Sequence, residues 1–287
     1  MADPAVLNDV QALAGAGYQV AVGAWVQLAP ELSLTTRLNA FNTLGQQDLT
    51  LQLFDNRGNL AGRSEHVVKT FETLRLDLET IVDPGKLPFE GALWSWGKGQ
   101  TPEGNLNFQG IDLDFINRQR PAGHVMGSVH LITDFSNTLG IGPYVDLLGP
   151  RIIMEATPEG GQRYQNFLGL AFAPTNLFLG STPNAQANLV VTVTNQAGET
   201  MTAPQPLAIP PLGSWFGDLA FLFPGLEEFL AVPGQARGFG AIGVQEAGNA
   251  LIGVAGMVKV RDTLSGELMV SHLNDRHFSR PAQKSVS

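Results

Sequence analysis

The strongest constraint on the fold of this 287-residue chain is that it repeats itself. Tyr18-Gln19, an apolar run containing Gly23, and Ala29-Pro30 recur as Tyr164-Gln165, Gly169 and Ala173-Pro174. Leu49, Leu51, Leu53, Asp55 and Gly58 recur as Leu189, Val191, Val193, Asn195 and Gly198. Asp77-Leu78 with Pro84 returns as Asp218-Leu219 with Pro224, and Val129-His130-Leu131 as Ser271-His272-Leu273. Blocks that recur in one order imply two copies of one module. The spacing predicts a first module over 18–135, a connector over 136–163, a second module over 164–280 and a tail over 281–287. In residues 1–17, Val6, Val10 and Leu13 follow Asp3-Pro4 at helical spacing, which predicts a short amphipathic helix docked on the first module.

Leu49-Thr50-Leu51-Gln52-Leu53 and Leu189 to Thr194 alternate as strands with one buried face do. Each is followed by turn formers, Asp55-Asn56-Arg57-Gly58-Asn59 and Asn195-Gln196-Ala197-Gly198-Glu199, with a glycine suited to positive φ, so each predicts a hairpin. The Pro204 to Pro211 stretch suits a strand that changes sheets. A helical turn is expected near Asp218 to Leu230, and strands at Gly240–Val244, 250–260 and Glu267–Leu273. Charged residues make up only 15% of the chain, while 33 Gly and 18 Pro favour strands and turns over helical bundles. About seven short strands per copy, with frequent turns, give the expected class: all-β, two tandem antiparallel β-sandwich modules from an internal duplication, with a short N-terminal helix.

These blocks resemble the tandem immunoglobulin-like β-sandwich modules of bacterial secreted and surface proteins. The shared pattern is an apolar strand with Ala-Pro, a Leu-x-Val-x-Val-x-Asn-x-x-Gly hairpin, a Pro-rich stretch, Asp-Leu-x-x-Leu-x-Pro and a Gly-x-Ile-x-Val strand. More distantly, Met269 to Arg276 is similar to the sensory rhodopsin transducer family, also a β-sandwich. The resemblance implies binding, spacing or adhesion, carries over no catalytic residue, and implies an extracellular or periplasmic setting. The first copy departs from the pattern over Asp83–Gly110, which is longer and carries a Trp pair. The start Met1-Ala2-Asp3-Pro4 lacks a basic and apolar leader and matches what a processed export substrate would show.

The net charge of −9 argues against nucleic acid, which needs clustered cations. Zero Cys excludes disulfides, thiolate metal sites and cysteine nucleophiles. No apolar stretch reaches the roughly 20 residues of a membrane span. No Gly-x-Ser-x-Gly elbow, phosphate-binding loop, His-Glu-x-x-His or dinucleotide fingerprint occurs, so those four enzyme classes lose their usual warrant, and no cofactor or metal is expected. His124 and His130, about 20 Å apart if on one strand, cannot share a metal. His130 and His272 match between copies, near Asp134 and Asp275, and read as structural. Asp112 and Asp114 would share one strand face, as a solvated pair or as a cation or acid/base pair; with Asp134 they would be the first suspects in a hydrolase. Trp94 and Trp96 also share a face, either as core or as an outward stacking platform for sugar rings or a protein surface. Beside them Gln100, Asn105 and Asn107, with Lys98, Glu103 and Gln109, would form a rim that recognises hydroxyl groups. Phe216, Phe221, Phe223 and Phe229 read as core packing. The expected function is a non-enzymatic structural or binding protein, with carbohydrate binding at the Trp pair as the alternative. Protein or glycan surfaces are the expected partners, and edge strands offer a route to self-association.

Overall fold

The computed structural model describes residues 3–43, 45–99, 108–120, 124–131, 146–174, 186–247 and 252–275. The fold is all-β. Strands β1 (Gln19–Leu28), β6 (Phe89–Gly99), β3 (Gln47–Asp55) and β4 (Leu60–Val68) pair in that order as sheet A. Sheet B runs β5 (Thr73–Asp77), β2 (Leu34–Asn42), β7 (Phe108–Asn117) and β8 (His124–Leu131). These two sheets form the first sandwich. The second is built from sheet C, in the order β14 (Ser214–Asp218), β10 (Tyr164–Pro174), β16 (Ile252–Asp262) and β17 (Leu268–His272), and from sheet D. In sheet D, β12 (Thr200–Thr202) and β13 (Leu207–Ile209) both pair with β11 (Ala187–Asn195). Next come β15 (Arg237–Glu246), β9 (Asp146–Glu155) and β18 (Asn274–Asp275). Among the described residues every pairing is antiparallel.

Sheet order makes β3 equivalent to β11, β6 to β15, β7 to β16 and β8 to β17. The two hairpin turns agree to the atom: Asp55 Oδ1 accepts from the Arg57 and Asn59 amides, and Asn195 Oδ1 from those of Ala197 and Glu199. Gly58 and Gly198 have φ of +81° and +83°, as these turns require. One sequence match is corrected. The partner of β1 in sheet order is β9, not β10, so Tyr18-Gln19 and Tyr164-Gln165 occupy different places, and the expected connector 136–163 contains a strand of the second sandwich. The two segments look alike because sheets A and C are each buried on both faces, and strands without a solvent face read as continuous apolar runs.

In sheet C the even-numbered Leu168, Leu170, Phe172, Val254 and Val258 face sheet D, whereas Ala171, Ala173, Ala255 and Met257 join the core of the first module. In sheet A, Leu51, Leu53 and Leu93 face sheet B: a Cβ added at Gly23, which pairs with Leu93, would lie 2.5 Å from Leu113. The opposite face carries Trp94 and Trp96, paired with Gln52 and Thr50. Over it lies α1 (Pro4–Gly15), which starts where Asp3 Oδ1 accepts from the Ala5 amide and buries Leu7, Val10 and Leu13.

The outward direction of the two indoles holds, but their exposure does not. Both are fully buried, stacked at 5.8 Å, so the platform expectation is corrected. Gln52 is the fastener: its amide donates to Asp9 of α1 at 2.6 Å while its oxygen accepts from Trp96 Nε1 at 3.0 Å. Arg63 also pairs with Asp9, and Lys98 Nζ donates to the Ala16 carbonyl at 2.7 Å, at the C-terminal end of the helix where a cation is favoured. The Trp94 indole N–H is buried without an acceptor among the described residues.

Two outcomes follow. Val10→Asp, which puts a carboxylate at a fully buried site, lowers stability by about 3 kcal/mol or more and red-shifts tryptophan emission as α1 lifts. Trp96→Phe orphans the Gln52 oxygen, whereas Trp94→Phe removes a donor that is already unpaired. In denaturant titrations the first therefore costs about 1 to 3 kcal/mol more than the second.

Candidate functional site

The two modules meet along β1, where a β-bulge re-aims one side chain. Gly23 pairs with Leu93 and Val26 with Gly91, so Ala24 and Trp25 together oppose Ala92. Trp25 is thereby turned onto sheet C, stacked on Phe216 at 5.7 Å and edge-on to Phe167 at 5.6 Å. Gly169 lies beneath it, where a Cβ would stand 3.0 Å from Trp25 Cβ, so a larger residue would force the modules apart. The equivalent edge strands β8 and β17 close the seam. His272 Nε2 donates to the His130 carbonyl at 2.6 Å, and Glu267 accepts from Arg120 at 3.3 Å and contacts His124 at 2.6 Å. Burial pushes the His272 imidazole below its ordinary range, opposed by its hydrogen bonds to the carbonyls of His130 and Gly256.

A cleft of about 770 Å³ opens at this junction. Trp25, Phe167 and Phe216 wall it, Arg261 is exposed at its mouth, and Phe221 stands there at 87% exposure. Phe221 corrects the expectation of core: the single helical turn α2 (Leu219–Leu222) buries Leu219 and turns Phe221 to solvent. Phe223 is core as expected.

Lys259 belongs to the floor of this cleft and is 3% exposed. Its Nζ lies 3.9 Å from the ring centroid of Trp25 and 3.8 Å from that of Phe115. Burial pushes the amine well below the ordinary lysine range, partly offset by the charge of Glu90. Glu90 also lines the cleft and accepts from Trp25 Nε1 at 2.7 Å. Burial pushes its carboxyl upward, opposed by that hydrogen bond and by Lys259. Among the described residues, then, the cleft holds a desolvated amine and a carboxyl whose environments move their titrations towards each other.

The residues singled out from sequence do not assemble here. Trp94 and Trp96 are core beneath α1; Gln100, Asn105 and Asn107 lie outside the described residues, as do Glu103 and Asp134. Asp112 and Asp114 do share a face of β7, where Asp112 contacts His130 Nδ1 at 2.8 Å and Asp114 accepts from Ser128 and Asn39. That face forms an open sheet surface. Among the described residues no group of three or more His, Asp or Glu side chains is placed to hold a metal, and no helix is long and apolar enough to cross a membrane. Lys259, Glu90 and Trp25 were missed; the signal available was one cation inside the apolar run ending at Val260.

No family model and no curated protein matches the chain. Among solved structures it is similar to the apo lectin of Pleurotus ostreatus at 9% identity, with a TM-score of 0.22, over 89% of this chain and 75% of the lectin. It is similar to a glycosyl hydrolase family 2 member from Bacteroides cellulosilyticus at 6% identity, with a TM-score of 0.18, over 88% of this chain and 28% of that one. The beta-glucuronidase of Bacteroides uniformis gives 9% identity, a TM-score of 0.18, and coverage of 89% and 26%. The chain spans about a quarter of each enzyme. Likenesses this distant carry no argument about function.

Lys259 yields a stability prediction. Its folded titration is depressed, so between that value and about 10.4 the unfolded chain holds a proton that the folded chain has lost, and stability rises with pH across the window. Below the window the folded state bears the full cost of a buried charge. Lys259→Met is expected to gain about 1 to 4 kcal/mol at pH 7, since Glu90 keeps its Trp25 bond and partial solvent contact. Unfolding measured from pH 6 to 10 should show the gain shrinking as pH rises.

Proposed function

We propose that this is a non-catalytic binding protein that holds a small organic ligand in the cleft between its two sandwiches. The observation behind the reading is the cleft itself, with aromatic walls, two arginines near the mouth and a buried lysine on the floor. A site of this size, mostly apolar with a few convergent polar groups, is the usual form of a ligand pocket. Neither module provides it alone: Trp25, Glu90 and Arg120 come from the first, and Phe167, Phe216 and Lys259 from the second. The setting implied by the resemblance, outside the cytoplasm, remains part of the proposal.

Calorimetry against aromatic carboxylates and neutral trisaccharides tests it. One-site binding of an aromatic carboxylate is expected, weakened about tenfold by Phe216→Ala or Phe221→Ala, which removes roughly one aromatic contact. Absence of saturable binding across the panel, or binding unchanged in both variants, would overturn the reading.

A further inference from the structure

Lysine is rarely buried without an ion-pair partner, and a buried lysine that lines a cavity is of the kind that serves as a Schiff-base nucleophile. Lys259 meets that description: it lines the cleft, its amine sits between two ring faces, and among the described residues no carboxylate lies within ion-pair distance of it. The other described lysines, Lys69, Lys86 and Lys98, are exposed.

We propose that Lys259 captures an aldehyde covalently and reversibly as an imine, and that the preferred ligand is an aromatic aldehyde carrying a carboxylate. This rests on the cleft being the ligand site. In its deprotonated form, which burial favours, the Lys259 amine attacks the aldehyde carbon, forming the C–N bond as the carbonyl electrons move to oxygen. A proton then passes from nitrogen to that oxygen, giving the carbinolamine. A proton from solvent reaches the hydroxyl, the C–O bond breaks, and water leaves. The nitrogen lone pair completes the C=N bond. The product is a protonated imine with the Glu90 carboxylate in the same cleft as its counter-ion, and hydrolysis reverses each step. Desolvation favours the deprotonated form of a lysine, and that form is the nucleophile. Trp25, Phe216 and Phe221 suit the aromatic ring, and Arg261 suits its carboxylate.

The test incubates the full chain with 4-formylbenzoate and sodium cyanoborohydride at pH 7, then maps the modified lysine by mass spectrometry. The fastest lysine adduct is expected at Lys259, forming about tenfold or more faster than at any other lysine of the chain. Lys259→Met should lose the adduct while remaining folded. Labelling confined to the exposed lysines overturns the proposal. The alcohol analogue, 4-(hydroxymethyl)benzoate, separates the two failures: if it binds while the aldehyde leaves Lys259 unmodified, imine capture fails and the cleft reading stands. If neither engages the cleft, both fall.

Discussion

The bulge at Ala24 and Trp25 is the contact on which the arrangement of the two modules depends. A regular β1 would keep its side chains alternating between sheet B and α1; the extra residue sends one indole sideways onto sheet C. Burial of Trp25 against Phe216 and Phe167 then removes the outer face of sheet C from water. Ala171, Ala173, Ala255 and Met257 consequently count as core of the first module although they belong to strands of the second. Gly58 shows how closely the chain has adapted: besides needing positive φ for its turn, it lies where a Cβ would come 2.1 Å from the Pro211 carbonyl, across the junction.

The matching sheet order of the two sandwiches shows what is unusual about the lysine inside this interface. Strand register aligns His130 with His272, Asp112 with Met257 and Asp114 with Lys259. In the first copy that face of β7 is open to solvent and carries Asp112 and Asp114 bonded to His130, Ser128 and Asn39. In the second sandwich the same face is covered, and the matching positions hold Met257 and Lys259. A methionine at 259 would fill the slot between Trp25 and Phe115 without desolvating an amine. A residue that costs stability where an apolar one would fit is the pattern expected when a position serves binding.

Much of the fold was legible because it is written in short-range signals. Alternation at Leu49–Leu53 and Leu189–Val193, the paired turns at Asp55 and Asn195, the matched His130 and His272, and the capped helix behind Asp3 each depend on neighbours within a few residues. What was not legible depends on coverage. Trp94 and Trp96 face out of their sandwich as the alternation implies, yet a helix from the start of the chain lies over them, and strand periodicity carries no information about a third layer. The same blindness paired β1 with β10, because burial on both faces gives two strands the same apolar character whatever their place in a sheet.

The cleft was illegible for a further reason. A search for motifs, or for features shared by two copies, finds chemistry that lies within one module or recurs in both. Here the indole, the carboxyl and the amine come from β1, β6 and β16, and their counterparts in the other copy are differently placed or differently charged. The site arises from the asymmetry between copies: one module offers an aromatic slot at the end of its core, and the other inserts a lysine into it. Neither sandwich folded in isolation would hold Lys259 out of water, so the reactivity of the amine and the docking of the modules are one physical fact.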